Sequence, residues 1–320
     1  MNNNRPKVSV CIPSYNYADY ISYAIESVIS QTYENIELII IDDCSLDNTD
    51  EVVSKYLSID KRIAYYKNEK NVGMVANWNL CLQKTSGEYV KILCADDLLE
   101  PDCIEKCVKV FADNPTVTVV ASARLLIDKD SNPIGSLAFS GKYELIPGPR
   151  VIRKCFFAGN VIGEPTAILF RKRDCKRLFN ANYKQLTDLE MWFYLLEQGD
   201  FAFLPEKLCK FRRHGEQTTL RNVSSLTFID DEILLHDDYI NKSYIGKTFI
   251  NEQKWKFQLT YNIWYHKNYG LDKKTINAKI AEYYPLYLFY FLLFIRININ
   301  RINYVNSLVK KAVRGQAKLL

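Results

Sequence analysis

The run Ile36-Glu37-Leu38-Ile39-Ile40-Ile41 is continuous, largely β-branched and barely alternating, as expected of a strand buried on both faces. A chain with such a strand needs helices above and below it, and its neighbours in sequence supply them. Lys7 to Pro13 reads as a first buried strand ending in the turn cluster Pro13-Ser14-Tyr15-Asn16. Ile21, Ala24, Ile25, Val28 and Ile29 follow at helical spacing. The Ile36 run closes on Asp42-Asp43-Cys44-Ser45, and Asp47 can cap a helix starting near Asn48. Arg62 to Lys67 predicts a third strand, leading into Asn68–Gly73, and Met74, Trp78 and Leu82 mark the next helical face. Tyr89 to Leu93 predicts a fourth strand, followed by Cys94-Ala95-Asp96-Asp97 and, from Pro101-Asp102, by a helix carrying Ile104, Cys107, Val108 and Phe111.

Four strand-then-helix units in a row imply right-handed crossovers and a parallel sheet. Their turns therefore gather along the carboxyl edge, where open α/β sheets bind ligands. Asp96 and Asp97 fall on that edge. Two adjacent carboxylates repel and are costly to bury unless a cation or hydrogen-bond donors compensate them. A solvated acidic turn explains an isolated Asp-Asp equally well; only its position among the other turns favours a site.

Composition removes several classes. An apolar fraction of 48% over 320 residues supports one large domain or two modest ones. A net charge of +5 with no early Lys/Arg cluster argues against a nucleic-acid stripe. Nine cysteines without a CxxC pair or a Cys/His quartet argue against zinc and a disulfide framework, and suit a reducing cytoplasm. No apolar stretch opens the chain, so no secretory signal is expected.

Farther along, Val117 to Ala121 predicts a strand, Asp128 to Pro133 a hairpin tip, and Gly135 to Pro149 a loop. Val151 to Phe157 predicts a helix, Thr166 to Phe170 a strand, and Leu189 to Leu196 a helix opened by Thr187-Asp188. Phe201 to Leu204 and Lys207 to Phe211 read as two short strands before Arg212-Arg213-His214-Gly215-Glu216. From Ser224 onward helical patterns take over.

The stretches Val8–Asn16, Ser27–Tyr33, Ile40–Asp47, Asn71-Val72-Gly73, Ala95-Asp96-Asp97 with Pro101-Asp102, Thr187–Trp192 and Phe211–His214 together resemble a family-2 glycosyltransferase of the GT-A fold, of the bacterial surface-polysaccharide type. The resemblance covers about residues 5 to 220. It implies a Rossmann-like, mostly parallel central sheet flanked by helices, followed by a helical C-terminal region. The domains expected are a catalytic one over 1–222, split near 122/123 into nucleotide-sugar and acceptor halves, and a helical region over 223–320.

The same resemblance assigns roles. Pro13 and Tyr15 sit where the family holds the nucleotide base, and Asp43 where a carboxylate bonds a uracil or thymine ring, with Asp42 beside it; a helix-entry role explains Asp42 as well. Asn71 and Gly73 belong to the same nucleotide-sugar motif. Asp96 is expected at the ribose and Asp97 on a divalent ion, Mn²⁺ or Mg²⁺ by the hardness of its oxygen ligands. Many relatives carry another Asp at the position of Cys94. Asp188 matches the general base for a single, inverting displacement, although an N-cap role would also satisfy it; Glu190 is the weaker candidate. His214 is expected to complete the metal shell and Arg212 or Arg213 to grip the diphosphate, against the plain reading of a charged surface loop.

In the tail, Tyr284 to Ile295 is apolar but too short to span a bilayer, which takes roughly 20 residues. With Arg296, Arg301, Lys310, Lys311, Arg314 and Lys318 behind it, it has the composition of a helix lying on an anionic membrane. The expected partners are a nucleotide-sugar donor, a glycan or lipid-linked acceptor and the inner face of the cell membrane. Two rivals are a silent glycan- or membrane-binding module on the same fold, against which Asp96, Asp97 and Asp188 speak, and a nucleotidyltransferase, which wants a Gly-rich phosphate loop in place of Pro13–Asn16.

Overall fold

The computed structural model describes residues 5–215, 226–265 and 272–298. Glu216, the His266-Lys267 end of an aromatic stretch, and Arg301, Lys310, Lys311, Arg314 and Lys318 lie outside them. The chain forms two compact units, Met1–Ile245 and Gly246–Leu320.

In the first unit, β1 (Val8–Ser14), β2 (Ile36–Asp42), β3 (Ile63–Lys67) and β4 (Tyr89–Ile92) lie in the order β3-β2-β1-β4, all parallel, with Val10 opposite Leu38 and Lys91. The crossovers α1 (Ala18–Ile29), α2 (Thr49–Leu57) and α3 (Met74–Lys84) link them. α1 forms because Ile21, Ala24, Ile25 and Val28 make one apolar stripe, and all four are buried. Each large aliphatic side chain buried in this way contributes about 1.5–3 kcal/mol. The sheet continues through β5 (Leu98–Leu99), β6 (Val117–Ile127), β9 (Ile168–Arg171) and β10 (Asp200–Arg212) as β4-β9-β6-β10-β5; β9 is antiparallel to β4 and β6, and β6 is parallel to β10. α4 (Cys103–Asp113) buries Ile104, Cys107, Val108 and Phe111. This is the mostly parallel, helix-flanked sheet of the GT-A fold.

Several local expectations are corrected. Gly135 to Pro149 is not a plain loop: β7 (Pro133–Leu137) forms a hairpin with β6, and β8 (Glu144–Pro147) pairs with β10. Every residue of β7 is exposed, so no burial pattern marks it in the sequence. Its turn was visible, and Asp128 Oδ1 accepts there from the backbone N–H groups of Asp130 and Asn132. The two short strands after residue 200 are one, β10, with irregular register between Leu204 and Cys209, around Pro205. The strand expected from Thr166 starts as a 3₁₀ turn, Pro165–Ala167.

α5 (Gly148–Ala158), α6 (Thr187–Leu196) and α7 (Phe228–Tyr239) belong to the same unit. The first compact unit thus runs on through α7 to Ile245. α7 belongs there because Asp231 Oδ2 accepts from the backbone N–H groups of Lys184, Gln185 and Leu186, at 2.9, 2.5 and 2.8 Å, just ahead of α6. Asp231→Ala leaves three amides without that acceptor and is expected to destabilise the unit by about 2–3 kcal/mol, read as a lower midpoint in urea.

The second unit holds α8 (Phe249–Tyr265), α9 (Lys273–Tyr283) and α10 (Leu286–Asn298). Asp272 caps α9, accepting from Lys274 and Thr275 N–H. Among the described residues no single helix is long and apolar enough to cross a membrane.

Candidate active site

The carboxyl ends of β1 and β2 are tied together by their turns. Asn16 and Cys44 both have positive φ (59° and 62°), which bends each turn sharply enough for contact. Asn16 N–H donates to Ser45 Oγ, Leu46 N–H to Asn16 Oδ1, and Ala18 N–H to Asp47 Oδ2. Pro13 lies near the end of β1, and Tyr15, two residues on, leaves its ring over a third exposed.

Asp42 and Asp43 point to different tasks. Asp42 is fully buried and accepts from the backbone N–H and hydroxyl of Ser45 and from the Tyr65 hydroxyl, so it builds the turn. Asp43 accepts from Val72 N–H (2.8 Å), Gly73 N–H (2.9 Å) and Asn68 Nδ2 (2.8 Å), while Asn71 Nδ2 donates to the Asp43 carbonyl. It thereby holds the loop before α3. Gly73 has φ of 89°, which a side chain there would strain.

The acidic pair follows β4. Asp97 is fully buried; Thr166 Oγ1 donates to its Oδ2 at 2.5 Å and Arg212 N–H to its Oδ1 at 2.9 Å. Burial first, and then the charge of Asp96, push the Asp97 carboxyl well above the ordinary carboxylate range. Asp96 Oδ2 lies 3.0 Å from His214 Nε2, and the imidazole packs against Tyr20 and Tyr17, 5.0 and 6.1 Å between ring centroids. Ligand atoms of Cys94, Asp96 and Asp97 lie within 4.8 Å of one another. Burial holds the Cys94 thiol well above its ordinary value, so it stays protonated and the donors on offer are hard carboxylate oxygens. Such a pair, buried and mutually repelling, fits a divalent cation of the Mn²⁺ or Mg²⁺ kind.

Arg212 is bonded within the protein: Nε donates to the Asp96 carbonyl and Nη1 to the carbonyls of Asp128 and Lys129 and to Ser131 Oγ, with Tyr20 against its face. The side chain is fully buried and pins the acidic turn to the β6–β7 hairpin. Being planar with five donors, it can bond several carbonyls at once.

Asp188 is the second residue of α6, not its N-cap, which is Leu186. Leu189 N–H donates to Asp188 Oδ1 at 2.7 Å. Burial raises the Asp188 carboxyl to about 7, the charge of Glu164 adds to the rise, and Leu189 N–H and Arg124 oppose it. Glu164 also raises Asp97, so one carboxylate is felt by both acidic sites. Glu164 itself is held by Arg124, at 2.5 Å. Glu190 faces elsewhere and pairs with Arg177.

Thr166, Arg124 with Glu164, Asp231 and the Tyr17–Tyr20 pair were not visible as site residues in the sequence. Each acts on a partner far away in the chain, so no local pattern marks its role.

With this geometry in place, residues 9–179 match the family described as Glycosyl transferase family 2. The chain is a family-2 glycosyltransferase. This family-2 enzyme is 35% identical over 222 residues to an uncharacterized glycosyltransferase of Haemophilus influenzae, covering 68% of each chain. It is 29% identical over 279 residues to the chondroitin synthase of Pasteurella multocida, covering 87% of this chain and only 26% of the synthase. Among solved structures its fold is similar to S. aureus TarS 1-349 in complex with UDP (TM-score 0.61, 17% identity, 84% of this chain and 76% of that one). It is also similar to the mannosyltransferase PcManGT from Pyrobaculum calidifontis with GDP-Man and Mn²⁺ (TM-score 0.58, 17% identity, 93% and 81%).

Proposed function

We propose that the enzyme moves a sugar from a UDP- or dTDP-linked donor to a hydroxyl of a growing surface glycan or its lipid-linked precursor, with inversion and with a divalent ion. The observation that carries this reading is the pair of acidic sites around Glu164. One is a buried Asp96–Asp97 pair suited to a cation, and the other is a single carboxyl raised to about 7 at the start of α6. The UDP seen with TarS and the GDP-Man seen with PcManGT support a nucleotide-sugar donor, the first of them a UDP-linked one, and the name of the chondroitin synthase supports a glycan acceptor.

In this reading the donor's base stacks on Tyr15 beside the β1 turn, and Asp96 bonds the ribose. Asp96 and Asp97 would hold the ion, whose chemistry there is to neutralise charge on the departing diphosphate. His214, wedged by Tyr17 and Tyr20, fixes the Asp96 carboxylate. Asp188 takes the proton from the acceptor hydroxyl as its oxygen attacks the anomeric carbon. The bond from that carbon to the diphosphate oxygen breaks, and its electron pair leaves with the nucleotide. A base with a pKa near 7 is matched to neutral pH.

The sign of the pH dependence follows. Only ionised Asp188 accepts a proton, so kcat/KM is expected to rise about tenfold per pH unit below about 7 and to level above it. The same raised value means that ionised Asp188 disfavours the fold. The penalty is absent below the unfolded value near 4 and complete above 7. Asp188→Asn therefore melts a few degrees higher than the parent at pH 8, by roughly 1–3 kcal/mol, and the gap closes by about pH 4. Thermal melts at both pH values check it.

The function itself is tested by incubating the full chain with a panel of nucleotide sugars and Mn²⁺ and identifying the released nucleotide. Nucleoside diphosphate from a UDP- or dTDP-sugar is expected; pyrophosphate would assign the chain to nucleotidyl transfer instead.

A further inference from the structure

We propose that the second unit docks on the surface of an anionic lipid bilayer through one face of α10. The inference is independent of the transfer chemistry. α10 is apolar nearly all round. Phe289 and Leu293 are buried, and Phe289 lies 5.9 Å from the Phe257 ring of α8. On the other side Tyr287 is 81% exposed, Phe294 66% and Phe291 60%, and Tyr290, Ile295 and Ile297 are exposed beside them.

At about 100° per residue these six side chains fall within an arc of roughly 160°, and none of them is charged. Single exposed apolar residues are ordinary, but a contiguous aromatic face is not. An ordinary surface helix turns its polar stripe to water; this one turns Tyr and Phe.

Length and charge decide what covers that face. The described part of α10, Leu286–Asn298, is about 20 Å long against a hydrocarbon core of about 30 Å, and it meets α9 at a 101° bend, so by itself this stretch suits a bilayer interface better than a crossing. From Tyr283 to Leu320 the sequence carries six basic residues (Arg296, Arg301, Lys310, Lys311, Arg314, Lys318) and no acidic one. A second copy of the chain would bring the same positive charge to the contact, whereas phosphate-bearing lipids bring the opposite one. Phe and Tyr rings with Lys and Arg nearby are the composition that partitions into the headgroup region.

The test is co-sedimentation of the full chain with phosphatidylcholine vesicles, with and without about 30 mol% phosphatidylglycerol. The parent is expected to bind the anionic vesicles and to lose at least tenfold in partition at high salt. The triple variant Tyr287→Ser, Phe291→Ser, Phe294→Ser is expected to lose at least tenfold at low salt, with melting temperature and donor hydrolysis unchanged. Three outcomes would overturn the proposal: no binding of the parent to anionic vesicles, equal binding of the triple variant, or a parent dimer that the triple substitution splits without any vesicle binding.

Discussion

Asp188→Asn is expected to lower transfer by about 10²–10⁴-fold while leaving the affinity for the nucleotide-sugar donor within about threefold of the parent. The asparagine keeps the shape and can still accept from Leu189 N–H, but it cannot take a proton from the acceptor hydroxyl. Because Leu186 begins the helix and Asp231 holds the three amides before it, α6 does not depend on the Asp188 charge. A purely structural Asp188 would give the opposite pattern, with activity retained and stability lost. Steady-state turnover with calorimetric titration of the donor separates the two.

Asp97→Asn should act on the other half of the reaction. An asparagine offers one acceptor oxygen where Asp97 offers two, so only one of Thr166 Oγ1 and Arg212 N–H keeps its partner and the turn loosens modestly. The larger effect is the loss of a full negative charge from the pair that would hold the cation. Turnover is expected to fall by about 10³-fold or more, a size typical of removing one preorganised electrostatic partner of the transition state. Here the loss should appear in donor binding as well, and added Mn²⁺ should restore little of it. Stripping divalent ions from the parent with a chelator should produce the same loss, and adding Mn²⁺ back should reverse it. The two substitutions therefore split cleanly: Asp188 acts on the rate alone, Asp97 on donor affinity and rate together.

The parts of this molecule that were legible in its sequence are those written as periodic burial. Ile36–Ile41 reads as a central strand because both its faces are covered, and α1 and α4 read as helices because their apolar residues recur every three or four positions. The acidic residues at the strand ends follow from that alternation, since parallel strands bring their carboxyl ends to one edge. What stayed hidden depends on orientation or on distant partners. Arg212 stood out as a basic residue near the site, but nothing in its neighbours says that its guanidinium turns inward to the carbonyls of Asp128 and Lys129. Asp231 supports the turn before Asp188 from a helix beyond the stretch that resembles the family, and its role exists only once α7 packs beside α6. β7 escaped because a fully exposed edge strand carries no apolar face to signal it.

The central claim is one displacement with Asp188 as base, and the anomer of the first-formed product reports on it directly. Proton NMR of donor hydrolysis with Mn²⁺, with water as acceptor and an α-linked donor, resolves that anomer before mutarotation mixes it. The account predicts that the β sugar appears first, and that Asp188→Asn suppresses it; an α sugar appearing first would contradict a single inverting step.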